Sequence, residues 1–531
     1  MFKPEKTRFR TLLSLIALLA AAALMLALIA ACTSRNREYG FVYMRLKENP
    51  TTLDPAHINS VDAGSIAAKV FNGLVRLGKD MDVEPDIAES WVVSPDGLRY
   101  TFTLRDDVFF SSGRKVKSTD IKYSFERVLQ PETRSPNTWV FENIKGVEPF
   151  MKGETDDLEG ITTEDEHTVV IELKEPFSPF LGLLTMPPAY VVPMEQVLHK
   201  GPEFSSEPVG TGPFMLDEWK PDRSLKLVRN KGYFGKVPRV SGIIYRIIPE
   251  DLTAIAEFES ENIHILTIPG SDYSRYKGSK KWSGYISSLP ALNTYYLGLN
   301  NSRPPFDDPE VRRAMNMAID RQRILSTYFE GRGRIANGPV PDILRSWQAP
   351  EGYSYRPMEA RRIFSERGLK GKKLTLYIKG RDNEDMAEII QSYLKDAGLD
   401  VVITMREWSS FMESVNKGEP DMFWLSWWAD YADPENFLFP LFYSGNAGEQ
   451  GNRVWYSNPE VDELIRKGQH APSRQKGDDY YRQAEDIIVS EAPWVFFWHK
   501  TDYMVRQPYI ADFEMHPVYT MDKGTDIHFI R

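Results

Sequence analysis

Apolar residues recur along the chain with two different periods. Trp91-Val92-Val93, the turn residues Ser94-Pro95-Asp96-Gly97, and then Tyr100, Phe102 and Leu104 on alternate positions predict a hairpin around a Pro-Asp-Gly turn. Ser118-Thr119-Asp120 opens a predicted helix with Ile121, Phe125, Val128 and Leu129 on one face, and Thr168 to Leu173 reads as a strand. Further on, Asp308 and Pro309 have the chemistry of a helix start, followed by Val311, Ala314, Met315, Ala318 and Ile319 at helical spacing. Leu374, Leu376 and Ile378 alternate as a strand. Met386, Ile390, Tyr393 and Leu394 mark a helix that Gly398 would terminate, and Val401 to Met405 is a second strand. Strand, helix and strand within so short a span predict a βαβ unit with parallel strands. Asn458-Pro459 opens one more helix, on Val461, Leu464 and Ile465. The class expected is α/β with mixed sheets.

The length of 531 residues exceeds what one core serves, and the 42% apolar and 26% charged content is that of a globular body. Net charge is −10, which supplies no basic face for nucleic acid. The first residues differ from the rest. Lys3, Lys6, Arg8 and Arg10 precede an uncharged run from Thr11 to Ala31, the pattern of an export signal, which is also long enough to span a bilayer. Ile29-Ala30-Ala31-Cys32 resembles the bacterial lipobox, and Cys32 is the sole cysteine. A signal peptide over 1–31 and a lipidated tether over 32–37 are therefore expected, with Cys32 as the lipidation site. A retained transmembrane anchor is the alternative. No internal disulfide can form, and acyl chains on Cys32 would hold the body to a membrane.

Enzymatic motifs are weak. S-x-x-K recurs, at Ser112, Ser274, Ser392 and Ser473 among other places, without its companion motifs, so it carries no penicillin-binding reading. Gly73 to Lys79 matches a phosphate loop until Asp80 stands where a hydroxyl should ligate magnesium, and its interior is strand-like. Gly210-Thr211-Gly212-Pro213 reads as a turn or hinge. No two of the eight histidines lie three or four positions apart, so no local zinc motif exists. No catalytic residue, metal site or cofactor is expected.

The segment Trp427 to Phe437, WWADYADPENF, sets acids among aromatics. Met422 to Trp428 reads as a buried strand. Asp433, before Pro434, suits a helix cap. Asp430 falls just past the strand, where loops face ligand crevices in α/β sheets. A carboxylate beside Trp427 and Trp428 needs a cation or several donors to remain ionised. A structural arginine or lysine would serve, and so would a ligand's ammonium.

Taken in order along the chain, several blocks resemble the extracytoplasmic solute-binding proteins of the peptide and nickel class, which feed ABC importers. The blocks are Asn49-Pro-Thr-Thr-Leu-Asp-Pro55, Phe71-Asn-Gly-Leu-Val75, Glu84 through Arg105, Thr119 through Phe125, Gly210 through Phe214, Phe306 through Ala314, and Ala429-Asp-Tyr-Ala-Asp-Pro434. The resemblance implies a two-lobed type II (cluster C) periplasmic-binding-protein fold with an extra domain in the first lobe and two hinge strands. Lobe I would comprise 38–62, 186–290 and 500–531, the extra domain 63–185, and lobe II 291–499. The hinge crossings would lie near Leu289–Leu299 and Val495–Arg506.

In function, the resemblance implies a lipid-anchored, exported, monomeric receptor that passes an oligopeptide-like solute to a permease and its ATPase subunits. Sugar, opine, haem or nickel chelate are the other ligands that this fold serves, and a cell-envelope hydrolase is the remote alternative. Asp430 matches the aspartate that pairs with a peptide's α-ammonium, and Trp427 and Trp408 match pocket tryptophans. Arg381 falls near a carboxylate-reading arginine of dipeptide binders. Val415 and Trp424 stand where some oligopeptide binders carry arginines, and neither can read a carboxylate.

Overall fold

The computed structural model describes residues 40–530. The signal peptide, the tether and Cys32 lie outside the described residues. The segments predicted from periodicity form the elements expected. The strands Ala88–Val93 and Arg99–Leu104 pair antiparallel, and Gly97 closes their turn with φ +72°. They sit in a four-stranded sheet with Thr168–Glu172 and Ile161–Thr163. The helix Ser118–Leu129 packs on this sheet through Ile121, Phe125, Val128 and Leu129. Lys117 occupies its cap position. The Asp120 carboxylate reaches back to the Lys117 N–H at 2.9 Å, while the Ser118 hydroxyl is turned away to Asp165. The strand-like interior of the phosphate-loop match is a strand, Val75–Leu77.

A second four-stranded sheet runs in the order Phe41–Leu46, Gly242–Ile247, Ser224–Arg229, Phe214–Lys220. The third sheet is the largest, with eight strands. Its spine is the strand Trp494–Arg506, 13 residues long. One half of that strand pairs with Asn293–Leu299, and the other with Ile265–Thr267 and Ile286–Pro290. Beyond Asn293–Leu299 come Met422–Trp428, Lys373–Lys379 and Asp400–Arg406. The last three run parallel, and Lys373–Lys379 meets Asp400–Arg406 over seven residue pairs. This is the βαβ unit expected. Its helix, Glu384–Asp396, ends before Gly398, which takes φ +100° as a C-terminal glycine should. Alternation sorts the side chains of this sheet onto two cores: Met422, Trp424, Leu374, Leu376 and Ile378 on one face, and Phe423 and Tyr296 on the other.

Caps follow the sequence as well. The Asp308 carboxylate accepts from Glu310 N–H at 2.8 Å to start Pro309–Ala318. Asn458 does the same for Pro459–Gln469.

Several sequence blocks that mark the resemblance meet in buried polar contacts. Asn72 donates to both oxygens of Asp86 at 2.8 Å, and Thr211 donates to Asn72 at 3.0 Å. All three are buried. Gly210 and Gly212 lie against the backbone of Lys69 and Val70 so closely that a β-carbon on Gly210 would sit 2.1 Å from Val70 O. Asp54 forms a two-pronged ion pair with Arg127, and both side chains are nearly buried. These blocks therefore hold the fold together.

Candidate functional site

The three parallel strands end at one edge of the large sheet, at Trp428, Lys379 and Arg406. Carboxyl ends of parallel strands are where α/β sheets open to ligands. Every sequence-predicted binding residue lies at this edge. Arg381 follows the 373–379 strand, Trp408 follows the 400–406 strand, and Trp427 and Asp430 end the 422–428 strand. Arg381 is exposed in a single 3-10 turn, Arg381–Asn383, and has no ion-pair partner among the described residues. Trp408 opens the helix Trp408–Asn416 and is 47% exposed. Its ring stacks on Phe411 at 6.1 Å, and Lys379 Nζ lies 4.7 Å from its centre.

The expectation of a strand buried throughout Met422 to Trp428 needs correcting. Met422, Phe423 and Trp424 are buried, Trp427 is half-buried, and Trp428 is 45% exposed. Direct pairing with the 373–379 strand covers only Met422 and Phe423. Past that pairing, Trp427 packs partly against the core that holds Phe423 and Tyr296, and Lys500 Nζ lies 5.6 Å from the centre of the Trp428 ring. The Trp427 indole N–H is buried with no hydrogen-bond partner among the described residues. Val415 and Trp424 are core residues.

The loop from 429 to 434 is fixed at both ends. Ala429 N–H donates to Leu292 O at 2.9 Å. Tyr431 is buried in the core that surrounds the 88–104 hairpin, with its ring 6.4 Å from Trp139. The Tyr431 hydroxyl donates to Glu435, and Gln469 donates to the other Glu435 oxygen at 2.6 Å. Asp433 accepts from Glu435 N–H at 2.9 Å at the start of the helix Glu435–Phe442. The helix begins one residue later than expected, so Pro434 takes the cap position and Asp433, one residue outside it, makes a turn onto the first helical N–H. Burial pushes the Asp433 carboxyl up to about 6 and that of Glu435 up to about 7.

With Tyr431 locked inward, Asp430 turns the other way. Its surface stays open to solvent, yet protein crowds it closely enough that burial raises its pKa. Its N–H donates to Asn436 Oδ1 at 2.9 Å, and Asn436 Nδ2 donates to Asp430 Oδ2 at 3.4 Å. No arginine, lysine or histidine pairs with Asp430 among the described residues.

Two neighbours were not legible from the sequence. Asn436 lies in an ordinary-looking helix start. Tyr519, 89 positions downstream in the one-turn 3-10 helix Tyr519–Met521, is near enough for the Asp430 charge to raise its phenol, to about 12, in addition to burial. No periodic pattern marks Tyr519. Its ring lies over Gly64, where a β-carbon would be 2.2 Å from Tyr519 Cε2.

A separate cavity of about 430 Å³ lies under the segment 512–527. It contains several cations, but Lys69 pairs with Asp522 at 2.8 Å, Lys79 with Glu514 at 3.0 Å, Arg76 with Glu84 at 3.3 Å, and Lys236 with Asp526. Charges already matched leave less for a ligand to satisfy than Asp430 does. Among the described residues, no helix is long and apolar enough to cross a membrane.

Comparison with known proteins places this architecture. A family model described as bacterial extracellular solute-binding proteins, family 5 Middle, matches residues 82–449. Heme-binding protein A of Haemophilus influenzae is 28% identical over 535 residues, covering 94% of this chain and 96% of that protein. A probable di/tripeptide-binding protein 5 of Pseudomonas aeruginosa is 29% identical over 494 residues, covering 89% and 93%. Among solved structures, the unliganded open form of the murein tripeptide-binding protein MppA superposes with TM-score 0.79 at 25% identity, covering 93% of this chain and 98% of that one. HbpA2 from Haemophilus parasuis superposes with TM-score 0.81 at 24% identity, covering 92% and 100%. The fold is that of the type II periplasmic binding proteins. The chain belongs to the bacterial extracellular solute-binding proteins, family 5, and is a substrate-binding component of the peptide/nickel class of ABC importers, not an enzyme.

Proposed function

We propose that this protein captures oligopeptide-like solutes by their free ammonium group and delivers them to a membrane permease. The observation that carries the reading is Asp430: a reachable, partly desolvated carboxylate with no cation of its own chain beside it among the described residues. A ligand ammonium supplies the missing charge through charge-assisted hydrogen bonds. Trp427 and Trp408 offer aromatic faces that accept varied side chains. Arg381, at the same sheet edge, is the group that reads a ligand carboxylate. Tyr519 borders the ammonium site.

In this reading lobe I comprises 38–62, 186–290 and 500–531, the extra domain 63–185, and lobe II 291–499. The continuous strand Trp494–Arg506, paired on both halves, and the adjacent passage from Ile286–Pro290 to Asn293–Leu299 support two hinge crossings there. Ligand binding shifts the lobes toward the form that a permease with its ATPase subunits accepts. Acylation of Cys32 tethers the body to the membrane.

The names of relatives favour peptide: di/tripeptide, glutathione and murein tripeptide recur. A second reading, a non-peptide solute, is favoured by one relative named for heme and by the apolar residues at positions 415 and 424. Calorimetry with free-amine and N-acetylated tripeptide libraries separates the two. The peptide reading requires the free amines to bind and the acetylated forms to bind poorly. Equal binding by both would remove Asp430 as an ammonium site.

A further inference from the structure

One side chain, that of Asn436, holds both the backbone N–H and the carboxylate of Asp430. Asn436 is buried, 5% exposed, in the first turn of the helix Glu435–Phe442. It is itself pinned, because its backbone N–H donates to Asp433 O at 3.1 Å. Its amide oxygen accepts the Asp430 N–H at 2.9 Å, and its amide nitrogen donates to Asp430 Oδ2 at 3.4 Å. Among the described residues the Asp430 carboxylate has no other hydrogen bond. The titratable groups that face it offer no help. Glu435, from the same helix turn, feels its charge, and so does Tyr519, from the C-terminal segment, each with its own proton held more tightly. Burial opposes the charged form, and Asn436 alone favours it.

The residue type matters. A lysine here would fill the site with the chain's own cation, and an aspartate would repel Asp430. An asparagine provides an acceptor for the loop N–H and a donor for the carboxylate at zero net charge. The carboxylate is thereby oriented and kept ionised without being neutralised, and its remaining lone pairs stay free. We infer that Asn436 is the positioning residue of the ligand-ammonium site, aiming the Asp430 carboxylate and holding its charge in readiness for a cation that only the ligand brings. This rests on the ammonium reading of Asp430.

The test uses ligand-free protein, so it stands apart from ligand identity. Carbon-13 NMR of aspartate-labelled protein follows the Asp430 carboxyl through a pH titration, the signal being identified by its loss in Asp430→Asn. In Asn436→Leu the midpoint should rise by about half a unit to one unit, through loss of the donor, and in Asn436→Asp by about one unit or more, through like charge. Asn436→Ser, which keeps a hydroxyl donor, should recover part of the leucine shift. Thermal melting checks folding, and Asn436→Ala replaces the leucine variant if that one does not fold. An Asp430 midpoint unchanged by removal of the amide overturns the inference, and so does a shift seen in the aspartate variant alone, which reports only nearby charge. Failure of the ammonium reading shows differently: free and acetylated tripeptides would bind the unmodified protein alike while the titration shifts remain.

Discussion

Replacing Asp430 by asparagine separates a binding role from a structural one, because the two predict opposite signs. The substitution keeps shape and removes charge. In the ligand-free protein that charge is disfavoured: burial raises the carboxyl above its ordinary value, and Asn436 at 3.4 Å is its one hydrogen-bond donor among the described residues. A carboxyl with a raised folded-state pKa is a stability cost that appears as pH rises above its unfolded value. At pH 7.5 Asp430→Asn should therefore melt no lower than the unmodified protein. With ligand the sign reverses. A hydrogen bond between charged groups contributes about 1.5–3 kcal/mol, so losing one weakens binding by about tenfold to a hundredfold. Differential scanning calorimetry without ligand, and titration calorimetry with a free-amine tripeptide library, give the two numbers. A variant that melts clearly lower and binds as before would refute the reasoning, because Asp430 would then be a structural acid.

Three further outcomes follow from the same physics. Asp54→Ala strands Arg127, whose partner carboxylate is held well below the ordinary range largely by that guanidinium and His57 despite opposing burial, and should cost about 3–5 kcal/mol in denaturant unfolding. Burial pushes the Glu435 and Glu485 carboxyls up to about 7, so each costs no stability below about 4.5 and on the order of 3 kcal/mol as pH rises to 7. His499, lowered to about 4 by burial, acts oppositely, losing stability as pH falls from 6.5 through 4. Two carboxyls outweigh one imidazole, so melting temperature should fall from pH 5 to pH 8, and a flat or rising curve would contradict the burial assignment. Cys32→Ala should leave the precursor uncut and unacylated in its host, as read by mass spectrometry, and normal processing would remove the lipid-anchor proposal.

Local periodicity was sufficient where one face of an element is buried and the other is wet. That held for the 88–104 hairpin, for Ser118–Leu129 and for the parallel pair Lys373–Lys379 and Asp400–Arg406. It misled at Met422–Trp428, because an unbroken apolar run reads alike whether its far end is buried or exposed. Composition could say that Asp430 needs a partner, but not whether the chain supplies one. That depends on Asn436 and Tyr519, brought up by a helix start and by the C-terminal segment through long-range packing. The blocks around Asn72, Asp86 and Thr211 are uninformative about ligand for a physical reason: these three side chains are occupied with one another in the interior.

The most direct test is a crystal structure of the protein purified from its own host with its retained solute in place. A cationic nitrogen of that solute should lie within about 2.7–3.2 Å of the Asp430 carboxylate, with Asn436 still behind it. A solute seated elsewhere, or Asp430 paired to an arginine or lysine of its own chain, would contradict it.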